Sequence, residues 1–162
     1  MLKKIVLSLA LVVGVSALEV GEVVKPITLE SAKWSSDSLQ GRVSIIFYVD
    51  PDEKGANAKF SNIIEEQKFD KKSFVKVAII NLAASWKPDF VIEKLLVLKQ
   101  KELSDNIYLK DKNSFFVKEW DLKDDASNVI ILSKEGRVLF SKSGVMSEEE
   151  IQKALEIVKE AL

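Results

Sequence analysis

Val43-Ser44-Ile45-Ile46-Phe47-Tyr48-Val49, followed by Asp50-Pro51-Asp52-Glu53-Lys54-Gly55-Ala56-Asn57, is the stretch on which the fold turns. Its first seven residues are apolar almost without a break. That is the pattern of a strand covered on both faces, as in an α/β sheet. Residues 50–55 carry carboxylates, a proline and a glycine, which is loop chemistry. From Ala56 to Lys68 the positions Ala56, Phe60, Ile63, Ile64 and Gln67 share one face at helical spacing. A buried strand running through a loop into a helix is the opening unit of a parallel sheet.

Working outward, Val23 to Leu29 is β-rich, and Pro26 restricts it to the edge or start of a sheet. Leu39-Gln40-Gly41-Arg42 places a turn just before the buried strand. On the other side, Phe74 to Asn81 predicts a second buried strand. Ser85-Trp86-Lys87-Pro88-Asp89 has the chemistry of a helix start, with Ser85 as cap and proline in the first turn. Phe90, Val91, Leu95 and Leu98 are its expected inward stripe, and the helix ends near Lys101. Asn106 to Leu109 predicts a short strand, Asp111-Lys112-Asn113 a turn, and Ser114 to Trp120 a short helix. Val129 to Leu132 and Arg137 to Phe140 flank Ser133-Lys134-Glu135-Gly136 as a hairpin, with Gly136 in the left-handed position. The last helix is the clearest. Ser147 caps it, Glu150 completes a capping box, and Met146 with Ile151 forms a hydrophobic staple. Ile151, Ala154, Leu155, Val158 and Leu162 make its apolar stripe. These elements predict one α/β domain over residues 18–162, a central mixed sheet flanked by helices, with Tyr48 and Tyr108 as packing residues on its strands.

Residues 1–17 read as a secretory signal peptide. Lys3 and Lys4 precede an apolar run from Ile5 to Val15, and Val15-Ser16-Ala17 supplies small residues before a cleavage after Ala17. The run is too short to span a bilayer, so the expectation is an exported chain with no membrane span after cleavage.

The chain has no cysteine and no histidine. Thiol redox chemistry, Cys-His and Ser-His-Asp catalysis, imidazole metal ligation and thiolate zinc sites are excluded on inventory alone. The net charge is −1, and loss of Lys3 and Lys4 makes the mature chain more acidic. Lysines and acids are interspersed, with no basic face to neutralise phosphates, so no nucleic-acid partner is expected.

A parallel strand-helix-strand start joined to a C-terminal hairpin and helix is the thioredoxin-like plan. Lys118-x-Trp120-x-Leu122, Ala126-Ser127-Asn128-Val129-Ile130-Ile131-Leu132, Lys134-x-Gly136-Arg137-Val138, Lys142-x-Gly144 and Ser147-x-Glu149 follow one another in an order that resembles the YtfJ family of exported bacterial proteins. Trp34, Leu39-x-Gly41-Arg42 and residues 57–65 extend the likeness, while residues 82–105 depart from the family pattern. The resemblance implies a thioredoxin-like fold, a periplasmic address and no established activity. In thioredoxins the junction at residues 50–57 carries the reactive cysteines, and a proline lies near the position of Ser127 or Asn128. This chain has neither, so no thiol-disulfide oxidoreductase activity is expected.

Asp50-x-Asp52-x-Lys54-Gly55 copies the opening of a calcium loop, but Lys54 and Ser61 stand where oxygen ligands should. Asp121, Asp124 and Asp125 form a second acidic cluster, which reads as a solvated loop. With 25 acids in 162 residues, some acid pair is expected by chance, so carboxylate pairing alone is weak support for an enzyme. Trp86 is expected to be exposed and Trp120 packed. The sequence reading is therefore a monomeric binding module for an envelope protein or peptide, with no cofactor, no metal and no catalytic residue assigned. Its candidate surface is Asp50, Asp52, Glu53 and Asn57 on one loop, with Ser127 and Asn128 on the loop facing it. The alternatives are a small carboxylate-based hydrolase or lyase using a divalent cation, and a structural subunit marked by an exposed apolar patch.

Overall fold

The computed structural model describes residues 18–53 and 55–162; residues 1–17, where the signal peptide was expected, and Lys54 fall outside the described residues. Five strands form the main sheet: β3 (Val43–Val49), β4 (Phe74–Asn81), β5 (Ile107–Asp111), β6 (Asn128–Leu132) and β7 (Val138–Ser143). Their spatial order is β5-β4-β3-β6-β7. β3 is central, parallel to β4 and antiparallel to β6; β4 pairs parallel with β5, and β6 antiparallel with β7. The quoted apolar run is thus the sheet's middle strand, and Val43, Ile45 and Ile46 are fully buried.

Period-two alternation divides the core between two faces. Ile46 and Tyr48 point to the face built from Trp34, Phe116 and Trp120, with α3 (Phe115–Trp120) beneath. Val43, Ile45 and Phe47 point to the other, under α1 (Ala58–Gln67) and α4 (Glu148–Ala161). The capping box at the start of α4 is formed, Ser147 accepting from the Glu150 amide and Glu150 from the Ser147 amide. Met146 and Ile151 are buried together, and Gly136 has φ +78° in the hairpin.

Two expectations are corrected. Val23 to Leu29 is not one strand. Residues 21–24 run as a strap along residues 136–138, at the start of β7, bridged at Val23 and Arg137, with the Val24 amide donating to Gly136 O at 3.0 Å. Beyond Pro26 the chain switches partner: β1 (Thr28–Leu29) pairs with β2 (Trp34–Ser35). Proline has no amide with which to continue the ladder, so the change of partner falls there.

The second correction concerns α2 (Asp89–Glu102). Its inward residue is Ile92, packed with Ile80 and Leu82, and Leu96 is half-buried beside them. Phe90, Val91, Leu95 and Leu98 are instead 61%, 38%, 56% and 56% exposed. The helix is apolar on more than one face, so periodicity alone does not select which face meets the sheet. Nor does Ser85 cap it. The N-cap is Pro88, and the Ser85 hydroxyl accepts from the Lys87 amide in the turn before.

Candidate functional site

The two loops singled out in the sequence meet. Gly55, Ala56 and Asn57, at the start of α1, and Ser127 and Asn128, at the start of β6, line one cavity of about 300 Å³. Phe47, Val49, Ala78 and Ile80 form its apolar sheet wall, and Leu96, Lys99 and Leu103 of α2 close its far side. Tyr108, expected as a packing residue, is half-buried at this cavity. Burial raises its phenol above the usual tyrosine range. Tyr48 is fully in the core, as expected, and its hydroxyl donates to Asp111.

A charged group that the sequence reading passed over lies in the cavity wall. Lys76, in the middle of β4, is 5% exposed. Its ammonium donates to Ser61 Oγ at 2.8 Å and to the Glu65 carboxylate, both on α1, and lies 5.6 Å from the centre of the Phe47 ring. Asn106 Nδ2 also donates to Glu65 at 2.8 Å. The available signal was a lysine between valines in a buried strand, because such a charge requires a partner. With Lys76 already paired, the cavity offers apolar walls and a few fixed polar groups rather than an unneutralised charge.

The six candidate surface residues divide by role. Asn57 is buried. Its Oδ1 accepts from the Met146 amide at 3.0 Å, and its Nδ2 donates to Gly144 O at 3.1 Å. Asn128 is also buried, and its side chain ties Lys123 O, Ala126 O and the Ser143 hydroxyl together. Ser127 is buried and accepts the Gly144 amide through its carbonyl. Asp50 is 6% exposed, and its carboxylate accepts the Asp52 amide at 2.8 Å. Asp52 and Glu53 are exposed. Asp52 pairs with Lys87, whose hydrogen bond holds the carboxyl pKa below the usual carboxylate range. Asp50, Asp52 and Glu53 thus form the outer turn, while Asn57, Ser127 and Asn128 build the cavity itself.

This division means that alanine at these positions has unequal effects on stability. Asn57→Ala leaves the Met146 amide and the Gly144 carbonyl without their partner, and is expected to cost about 1–3 kcal/mol in urea unfolding. Asp52→Ala alone removes only an exposed pair and is expected to leave the unfolding midpoint in place.

Among the described residues no group of three or more acids comes together to hold a metal ion, and no helix is long and apolar enough to cross a membrane. Asp124 is engaged by the Asn81 amide at 2.8 Å.

The architecture recurs in solved structures. One from Chlorobium tepidum, described as a thiol:disulfide interchange protein DsbE, superposes with a TM-score of 0.67 at 14% identity, over 90% of this chain and 99% of that one. A thioredoxin-like protein from Parabacteroides distasonis gives a TM-score of 0.57 at 19% identity, over 89% and 97% of the two chains. These likenesses show the thioredoxin-like fold. By sequence, the uncharacterized protein YtfJ of Escherichia coli strain K12 is 24% identical over 132 residues, covering 80% of this chain and 72% of that protein. A family model matches nearly end to end, over residues 8–161, and the chain therefore belongs to the bacterial proteins of unknown function designated YtfJ_HI0045.

Proposed function

We propose that the protein is exported to the periplasm through residues 1–17 and works there as a monomeric binding module. The cavity between the start of α1, the start of β6 and the inner side of α2 seats an apolar side chain, or a small apolar ligand, of an envelope partner. The observation that carries this reading is the convergence of both loops on a largely apolar cavity of about 300 Å³, at the lower end of the range for ligand pockets. In redox-active proteins of this fold the same junction presents a cysteine to a substrate protein. This chain keeps the junction and has no sulfur there, which favours contact without thiol exchange.

The test is reversible crosslinking and capture from the cell envelope, comparing the wild type with Ala56→Trp. Ala56 is half-buried at the cavity, so an indole there blocks the opening without removing a core contact. A partner held by the wild type and lost from Ala56→Trp is the expected result. The same partner held by both would overturn the assignment of the cavity. No capture, combined with a rise in melting temperature on adding calcium, magnesium or manganese, would replace the binding reading with the carboxylate hydrolase or lyase.

A further inference from the structure

The outward side of α2 has a composition unlike the rest of the surface. At 100° per residue, Phe90, Lys94, Val97, Leu98 and Lys101 project away from buried Ile92. Val97 is 56% exposed, and Trp86, in the turn that leads into the helix, is 81% exposed. No acid lies on this face. The acids of α2 lie to its sides and are already neutralised: Glu93 by Lys110 at 3.1 Å and Lys112 at 3.4 Å, Asp89 by Lys112 at 3.8 Å, and Glu102 by Lys99 at 4.0 Å. Lys94 and Lys101 have no ion pair among the described residues; Lys94 lies 5.9 Å from the centre of the Phe90 ring. A chain whose net charge is negative therefore presents one apolar face whose only uncompensated charges are positive.

We propose that this face docks on an anionic lipid surface, with Trp86, Phe90, Val97 and Leu98 entering the headgroup boundary and Lys94 and Lys101 meeting lipid phosphates. Charge decides between the candidate occupants. Folding a second copy onto the face about a two-fold axis would bring lysine towards lysine with no acid to separate them, and lysine is depleted in the cores of protein interfaces. Tryptophan, phenylalanine and aliphatic residues interleaved with lysine are the composition of helices that lie on anionic membranes. This inference uses the outer side of α2 and does not depend on what occupies the cavity on its inner side.

The experiment uses the chain produced with its own leader and purified as the cell releases it, mixed with vesicles of phosphatidylcholine alone or with added phosphatidylglycerol. Trp34 and Trp120 are buried, so a change in tryptophan emission reports Trp86, and Trp86→Phe should abolish it. The expected result is a blue shift and co-flotation with phosphatidylglycerol vesicles only, weakened by salt. K94E/K101E should lower vesicle partition by at least about tenfold, and V97D/L98D should remove the blue shift, with wild-type melting in both. Absence of binding to phosphatidylglycerol vesicles, or undiminished binding by K94E/K101E, would overturn the proposal. So would a blue-shifted Trp86 in a particle of twice the chain mass without vesicles, which would give the face to a second copy.

Discussion

Asp111→Ala is expected to lower the free energy of unfolding by roughly 3–5 kcal/mol. Asp111 ends β5 and is 1% exposed. One carboxylate oxygen accepts the amides of Asn113 and Phe115 at 3.2 and 2.8 Å; the other accepts the Phe116 amide and the Tyr48 hydroxyl, both at 3.0 Å. α3 has no other cap, because Ser114 sits at φ +50° with its side chain away from the helix amides. One carboxylate from the neighbouring strand therefore completes the start of α3, fixes Phe116 and Trp120 in the core and satisfies a buried phenol. Alanine leaves several donors buried and unpaired at once. Asp111→Asn keeps one acceptor oxygen and should cost less, and urea unfolding of the two variants measures the difference. The pH dependence has a defined sign. Burial first, and then the Asp111 charge, push the Tyr48 phenol above its ordinary value of 10.0. The contribution of the neutral phenol is complete below pH 10 and declines above it, as the unfolded chain ionises while the folded one does not. In an ultraviolet titration, Tyr48 phenolate should appear together with unfolding.

Lys76→Ala should be the next most damaging change, at about 2–4 kcal/mol. It removes the lysine stem from the cavity wall and leaves Glu65 facing apolar side chains. Glu65 keeps the Asn106 amide and is 31% exposed at its side chain, so water relieves part of its charge and the loss stays below that of a fully enclosed pair. Replacing both partners, Lys76→Met with Glu65→Leu, should cost less than Lys76→Ala alone, since no orphaned charge remains. A double-mutant cycle in urea separates the two effects. If the double variant were as unstable as the sum of the singles, the pair would not be the source of the loss.

Much of the fold was readable because several local signals agreed. The bounds of β3 and β4 coincide with the apolar runs, since strands covered on both faces have no alternation to blur their ends. The start of α4 was readable because a capping box is purely local. α2 defeated the same reasoning. Phe90, Val91, Leu95 and Leu98 match a helical stripe as well as Ile92 and Leu96 do, and contact with Ile80 and Leu82, far away in sequence, decides between them. That misread stripe is the exposed apolar patch which the sequence could raise only as a condition for a structural subunit. At the site, the two loops were legible from the strand-to-helix junction. The division of labour within them was not, because the bonds from Asn57 to Met146 and Gly144 span 89 and 87 residues. Asp111 looked like a turn residue and is instead the last residue of β5; its hold on Tyr48 becomes visible only once β3 and β5 share a sheet.

The strap at the start of β7 orders events during synthesis. The Gly21 amide donates to Val138 O at 2.8 Å, and the Val138 amide to Glu22 O at 2.8 Å. Residues 21 and 22 therefore wait for a partner made more than a hundred residues later. Until residue 138 has emerged, this segment has no ladder to join, and docking it closes a loop of more than a hundred residues. A growing chain thus keeps residues 21–24 unpaired through most of translation. Native pairing takes them up once nearly the whole domain is available to fold.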